Sequence, residues 1–349
     1  MIYFEVTKTG RARHHSGMMR VSARLREELD GAITPVTWDS RRHGWRTVDR
    51  RRAVALAAPD WLLTTELFSE AERPGFWSFL RSGSGRRAAV FYDAIPLRHP
   101  HITWPQSVAR HPEYMKMLAA FDRVWAISEA SRRDLEEFWR WQGAEPRASV
   151  GTIMLGADFD RSPRAVSGLP PPASRLLLSV GILEPRKNQA LLLDTAETLW
   201  REGLDFELHL AGRVNPHFGK PLAARIKARC RAEPRLRWLK AAPDILVNGL
   251  YARARATVFP TLAEGCGLPV LESLWKGVPC VCGDLPVLRE ATEGGGCFSV
   301  PVNEPAAWTA ALRTILTDDA EWGRLAAAAA VRPLPTWAET AAKLRAGLA

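Results

Sequence analysis

The sequence is poor in cysteine and in long apolar runs, and each shortage excludes something. Five cysteines among 349 residues, an odd number confined to the second half, do not make a disulfide framework. Only Cys280 and Cys282 lie close, and the side chains of C-x-C on a strand share a face without closing a zinc site. No stretch is long and apolar enough to cross a bilayer; "AVALAAPDWLL" and "RLLLSVGIL" both fall short. The opening "MIYFEVTKTG" lacks the basic-then-apolar order of a signal peptide, so a cytoplasmic location with free thiols is expected. No D-x-D metal motif stands out: the one such spacing, Asp158 and Asp160 in "GADFDRSP", falls beside the proline-rich stretch. No basic stretch is interleaved with aromatics to stack bases, so neither a metal nor a nucleic-acid partner is expected.

Positive charge is present in excess. The net charge of +10 favours anionic partners, but the surplus is spread over both halves. One stretch concentrates it: "RRHGWRTVDRRR" (41–52), with six arginines, one aspartate and Trp45. It reads either as a solvated arginine-rich surface or as a site for anionic lipid head groups or a phosphorylated acceptor. In the lipid reading, Trp45 adds an amphipathic ring at the interface, and the chain touches an anionic membrane peripherally, at its inner face.

The length predicts two domains. "SPRAVSGLPPPAS" (162–174) is a proline-rich linker, which places an N-terminal domain at 1–165, the linker at 166–174 and a second domain at 175–334. A short terminal helix, "PTWAETAAKLRAGL", lies beyond a proline break and is expected to pack back on the N-terminal domain. After the linker, strand-like and helix-like segments alternate: "RLLLSVG", "NQALLLDTAETLWREG", "FELHLAG", "KPLAARIKARCRAE", "LRWL", "DILVNGLYARA", "ATVFP", "PVLESLWKG" and "VPCVC". Such alternation predicts a doubly wound parallel sheet. In the first half, "SGMMRVSARLREELDG" predicts a helix, and "AAVFYDAIP" and "RVWAIS" predict buried strands. The fold class is therefore α/β, with two doubly wound, Rossmann-like domains expected to face a central cleft. Ligands in such folds bind outside the carboxyl ends of the strands, where Gly17, Asp93, Ser128, Arg186, Lys187 and Glu264 fall.

Two segments carry the chemistry. In "VGILEPRKNQ" (180–189), Arg186 and Lys187 follow a strand and precede a helix. A planar fork and a point charge suit a diphosphate. In "EGCGLPVLE" (264–272), two acids stand eight residues apart around a glycine pair and Pro269. If Pro269 begins a helix, Glu264 lies in the loop before it and Glu272 about a turn inside. The amides of Gly267 and Leu268 then face an anion, with a carboxylate on each side to accept hydroxyl hydrogen bonds. A sugar nucleotide presents its ribose diol, diphosphate and sugar hydroxyls in that order. Taken singly, Glu272 would be an exposed helix glutamate and Glu264 a helix cap.

The 264–272 segment resembles the E-x7-E signature of retaining family-4 glycosyltransferases of the GT-B fold, with Cys266 in place of the usual aromatic or leucine. "VGILEPRKN", "LHLAG", "LYARARATVFPT", "KGVPCVCGDLPVLRE" and "PVNEPAAWTAALRTIL" extend the resemblance over most of the C-terminal domain. In the N-terminal half, "HSGMMRV" resembles the glycine loop near the donor, "YDAIPLRHP" the H-D-x-x-P stretch, and "VWAISEASRRDL" the serine-containing strand end. The resemblance implies that Glu272 binds the ribose and that Arg186 and Lys187 bind the diphosphate. Glu264 would contact the donor sugar, near Gly267 and Leu268, while Gly17 approaches the donor and Asp93 belongs to the catalytic contact of the N-terminal domain. Tyr92 departs from the family, standing where a histidine often touches the donor sugar. His14, His15, His99, His101 and His111 have no metal-ligand arrangement and read as loop residues.

The activity implied is retaining transfer from a nucleoside-diphosphate sugar to a saccharide or lipid-linked acceptor. It needs no cofactor and no metal, because Arg186 and Lys187 stabilise the leaving diphosphate. The rivals are a catalytically impaired protein kept as a sugar-nucleotide-binding partner, and an epimerase of the same fold.

Overall fold

The computed structural model describes residues 1–11, 17–165 and 175–349. The chain forms two compact units: Met1–Gly156 with Pro335–Ala349, and Ala157–Leu334. The division thus falls at Gly156–Ala157, ahead of the boundary expected at 165. Residues 157–165 pack on unit 2: Trp275 Nε1 donates to Ser162 O at 2.9 Å, and Lys276 Nζ meets Asp160 at 2.5 Å. The linker proper, 166–174, lies outside the described residues.

Unit 1 is built on an eight-stranded sheet. Its strands are β1 (Ile2–Glu5), β2 (Ile33–Asp39), β3 (Gly44–Thr47), β4 (Ala53–Val54), β5 (Trp61–Thr64), β6 (Arg86–Phe91), β7 (Arg123–Ala126) and β8 (Ser149–Thr152), in the order β4-β3-β2-β1-β5-β6-β7-β8. From β2 to β8 the pairing is parallel, and β3 and β4 add an antiparallel edge. The central strands are near-continuous apolar runs because helices cover both faces. The terminal helix Trp337–Ala346 belongs to this unit. Trp337 is fully buried, a Cβ at Gly156 would lie 2.6 Å from its Cγ, and Thr340 Oγ1 donates to Met154 O at 3.0 Å.

The edge hairpin corrects the reading of Trp45 as an interfacial ring. Strand β3 alternates, so Trp45 turns inward while Arg46 turns out to pair with Asp39 at 2.5 Å. Trp45 is 3% exposed and packs edge-on against Trp38 at 5.1 Å and Phe79 at 5.9 Å. Burying such a ring contributes roughly 2–3 kcal/mol, which no lipid contact need supply. The arginines at 41, 42, 50, 51 and 52 remain exposed.

Beneath the edge of this sheet lies a buried ionic group. Arg73 Nη2 donates to Glu5 Oε1 at 2.7 Å and to Glu66 Oε2 at 2.8 Å, with all three side chains inaccessible. Burial pushes the Glu5 carboxyl up to about 7; the neighbouring Arg73 opposes this and the charge of Glu66 adds to it. A group that holds its proton more tightly when folded stabilises the fold below its unfolded value of 4.5, and that contribution is lost as pH rises through about 7. Glu5→Gln should therefore raise stability near pH 8 by up to about 3 kcal/mol. The gain should vanish near pH 4.5, as urea unfolding at the two pH values would show.

Unit 2 carries six parallel strands: β9 (Leu176–Val180), β10 (Glu207–Ala211), β11 (Leu236–Leu239), β12 (Ala254–Phe259), β13 (Cys280–Gly283) and β14 (Cys297–Val300), ordered β11-β10-β9-β12-β13-β14. The helices between them follow the expected alternation: Gln189–Arg201, Lys220–Ala232, Asp244–Arg253 and Leu268–Trp275. In each unit the chain winds outward on one side of its first strand and then on the other. The switch points lie between β1 and β5 and between β9 and β12, where doubly wound folds bind ligands.

Candidate functional site

Arg186 and Lys187 leave β9 on the short turn Pro185–Lys187, which Asn188 joins to the following helix at φ 51. Asparagine tolerates this left-handed geometry better than most residues. The segment after β12 is stitched to the same turn: Leu262 N and Thr261 Oγ1 donate to Arg186 O at 2.8 and 3.0 Å. Three expected site residues are thereby brought together. Glu264 Oε1 accepts from Arg186 Nη1 at 2.9 Å, from Thr261 Oγ1 at 2.8 Å and from Lys187 Nζ. Arg186 also donates to Ala263 O at 2.8 Å and pairs with Glu184 at 2.8 Å. Glu184 in turn accepts from Asn215 Nδ2 at 2.9 Å. Lys187 Nζ sits 4.6 Å from the centre of the Phe259 ring.

Burial raises the energy of the charges on Glu264 and Lys187. It pushes the Glu264 carboxyl upward, but Lys187 and Arg186 outweigh it and hold the group below the usual carboxylate range. Burial likewise pushes the Lys187 amine below the ordinary lysine range, against the pull of Glu264. The cluster is charged, tightly paired and positioned at the switch point of unit 2.

Gly267 opens the helix Leu268–Trp275 at φ 76, with Pro269 in its first turn. A Cβ there would lie 2.5 Å from Leu288 Cδ2, so both the conformation and the space require glycine. Glu272, the fifth residue of the helix, is not an exposed helix glutamate. It is 6% exposed, and its Oε2 accepts from Tyr251 Oη at 3.2 Å.

In unit 1, Gly17 is exposed at the start of the helix Gly17–Glu28, and half-buried Asp93 follows β6, its Oδ1 accepting from Ile95 N at 3.0 Å. Tyr92 is buried, and its hydroxyl donates to Thr65 O at 2.9 Å, so it braces the sheet edge. Ser128 caps the helix Glu129–Trp141, accepting from Ser131 N at 3.0 Å. His111 is no loop residue. It lies inside the helix Pro105–Leu118, buried, with Nε2 2.8 Å from Asp93 O, and burial lowers its pKa. His14 and His15 fall outside the described residues. Sequence reasoning missed Glu184, Thr261 and Tyr251, although all three stand within or beside the quoted motifs; each also bonds a residue distant in sequence, Asn215, Arg186 and Glu272 respectively.

Residues 174–318 match the family described as glycosyl transferases group 1. A serotype-specific mannosyltransferase of Escherichia coli is 31% identical over 228 residues, 61% of this chain and 28% of the relative. A D-inositol 3-phosphate glycosyltransferase of Kineococcus radiotolerans is 30% identical over 256 residues, 65% of this chain and 57% of the relative. The chain thus spans less than two thirds of the length of these curated relatives. Among solved structures, a sucrose-phosphate synthase from Thermosynechococcus elongatus superposes with a TM-score of 0.71 at 16% identity, covering 99% of this chain and 97% of that one. Anabaena HepE in complex with UDP-glucose superposes with a TM-score of 0.72 at 16% identity, covering 99% and 98%. Residues 174–318 belong to the glycosyl transferases group 1 family, and the chain that carries them has the GT-B fold of two Rossmann-like domains.

Proposed function

We propose that the protein transfers a sugar from a nucleoside-diphosphate sugar to a saccharide or lipid-linked acceptor, with retention of anomeric configuration, in the assembly of a polysaccharide. The observation that carries this reading is the half-buried Arg186–Lys187–Glu264 cluster at the switch point of unit 2, beside a glycine-opened helix bearing Glu272. Arg186 and Lys187 hold the diphosphate and stabilise its charge as it leaves, so the reaction runs without a metal. Glu272 accepts from the ribose hydroxyls, and Glu264 faces the donor sugar near Gly267 and Leu268. Gly17 approaches the donor from unit 1, and Asp93 supplies that unit's catalytic contact. No side chain is assigned as a nucleophile; the leaving phosphate takes the acceptor's proton.

The donors to try first are UDP-glucose, bound in the HepE complex, and nucleotide-linked mannose, the sugar named for the mannosyltransferase relatives. A donor that binds only the folded state raises the melting temperature. The donor so found, incubated with acceptors in EDTA, should yield a glycoside whose anomeric configuration NMR reports. Binding without turnover would favour the impaired partner, and an inverted product would overturn retention.

The five exposed arginines of 41–52 suit peripheral contact with an anionic membrane, each worth about 1 kcal/mol at most near the surface. Co-sedimentation with anionic vesicles should weaken with salt and with the joint change of Arg50, Arg51 and Arg52 to serine. Trp45→Phe should leave it unchanged, because that ring is buried.

A further inference from the structure

A second cluster occupies the switch point of unit 1, between β1 and β5, and none of the roles above accounts for it. The Glu66 carboxylate accepts from Lys8 N at 2.8 and 2.9 Å, from Thr9 N at 2.8 Å and from Thr9 Oγ1 at 2.9 Å. Its remaining partner is Arg73. Every donor except Arg73 comes from the turn that follows β1 and leads towards Gly17. The preceding residue, Thr65, donates to Ser22 Oγ at 2.8 Å, inside the helix that Gly17 begins. Two adjacent residues just after β5 therefore hold Lys8 and Thr9 on one side and, through Ser22, the helix that Gly17 begins on the other.

We propose that Glu66 is a positioning residue, fixing the turn after β1 and with it the placement of Gly17, while Arg73 locks its carboxylate. The inference rests on the reading of Gly17 as a donor-binding residue. Stability alone is a poor reason for the arrangement. A buried ion group is often no better than apolar side chains of equal volume, and Glu5 resists ionisation there. Placement is the better reason: the cluster stands where unit 2 has Arg186, Lys187 and Glu264, at the edge where such folds bind ligands. A carboxylate on two consecutive amides is a charge-assisted clamp, stiffer than a turn left to water.

Glu66→Gln tests this without stranding a charge. Glu5 and Glu66 share one guanidinium, and the charge of Glu66 helps keep Glu5 protonated, so removing that charge lets Glu5 ionise more readily against Arg73. The variant should melt within about 3 °C of the parent, yet the amides of Lys8 and Thr9 should exchange their hydrogens roughly tenfold faster or more. Turnover should fall by about tenfold or more while the donor KM stays within about threefold, the mark of lost transition-state positioning. Thr9→Val, nearly isosteric and removing one donor to Glu66, should shift exchange and turnover the same way by less, which serves if Glu66→Gln does not fold. Unchanged exchange at Lys8 and Thr9 overturns the proposal, as does faster exchange with unchanged turnover. If the parent turns over no nucleotide sugar, the proposed function fails, whereas the exchange result still decides whether Glu66 holds the turn.

Discussion

Lys187→Met is expected to lower turnover by roughly 100- to 1,000-fold, about 3–4 kcal/mol of lost transition-state stabilisation. The variant should remain folded. Methionine keeps an apolar stem beside Phe259, and Glu264 retains Arg186 Nη1 and Thr261 Oγ1, so no buried carboxylate is left without a partner. On the proposed function, what is lost is a positive charge already held in place beside Glu264, where the leaving oxygen would become more negative as the sugar departs. The pH profile gives a second readout. Burial lowers the pKa of Lys187, so parent activity should decline on the alkaline side earlier than an ordinary lysine would dictate. The methionine variant should lack that limb. A residual rate above a tenth of the parent's, with an intact alkaline limb, would show that Lys187 does not serve the leaving group.

How far the site was legible depended on whether a residue's partners were near it in sequence. The loop–helix of 264–272 was readable because glycine at positive φ, proline in a first turn and an acid a turn further on are local rules, and the structure obeys each. The convergence of Arg186, Lys187 and Glu264 followed from strand alternation and the sheet-edge rule. Their pairing with one another did not, because it joins side chains 77 and 78 positions apart. The same limit explains the errors. In "RRHGWRTVDRRR" one tryptophan among six arginines reads as surface. Its fate is set by Phe76 and Phe79, more than thirty residues on. Nothing near Tyr92 in the sequence indicates that its hydroxyl donates to Thr65 O, 27 residues before it. Nothing local in "TTELFSEAERPGF" indicates that Glu66 and Arg73 are buried with Glu5. The domain boundary was misplaced because proline content marks where a chain bends. It does not show which side of the bend packs, and residues 157–165 pack on unit 2.

Glu264→Gln should separate the two acids of the motif, lowering turnover by about 100-fold without raising the donor KM. The carboxylate pairs with the two cations proposed to hold the diphosphate, so donor binding would compete with an internal ion pair. An amide in its place removes that competition, and KM should stay level or fall. Arg186 keeps Glu184 and Ala263 O, so the loop geometry survives. Turnover falls because positive charge grows at the anomeric carbon as the bond to phosphate breaks, and a fixed carboxylate there stabilises the transition state more than the ground state. Glu272→Gln should behave in the opposite way. It sits inside the helix with Tyr251 and would meet the ribose, whose charge does not change during transfer. An interaction equal in ground and transition states raises KM on removal and leaves kcat largely intact. Steady-state kinetics of the two variants against the same donor settle the assignment. A raised KM with normal kcat for Glu264→Gln, or a collapsed kcat with unchanged KM for Glu272→Gln, would exchange their roles.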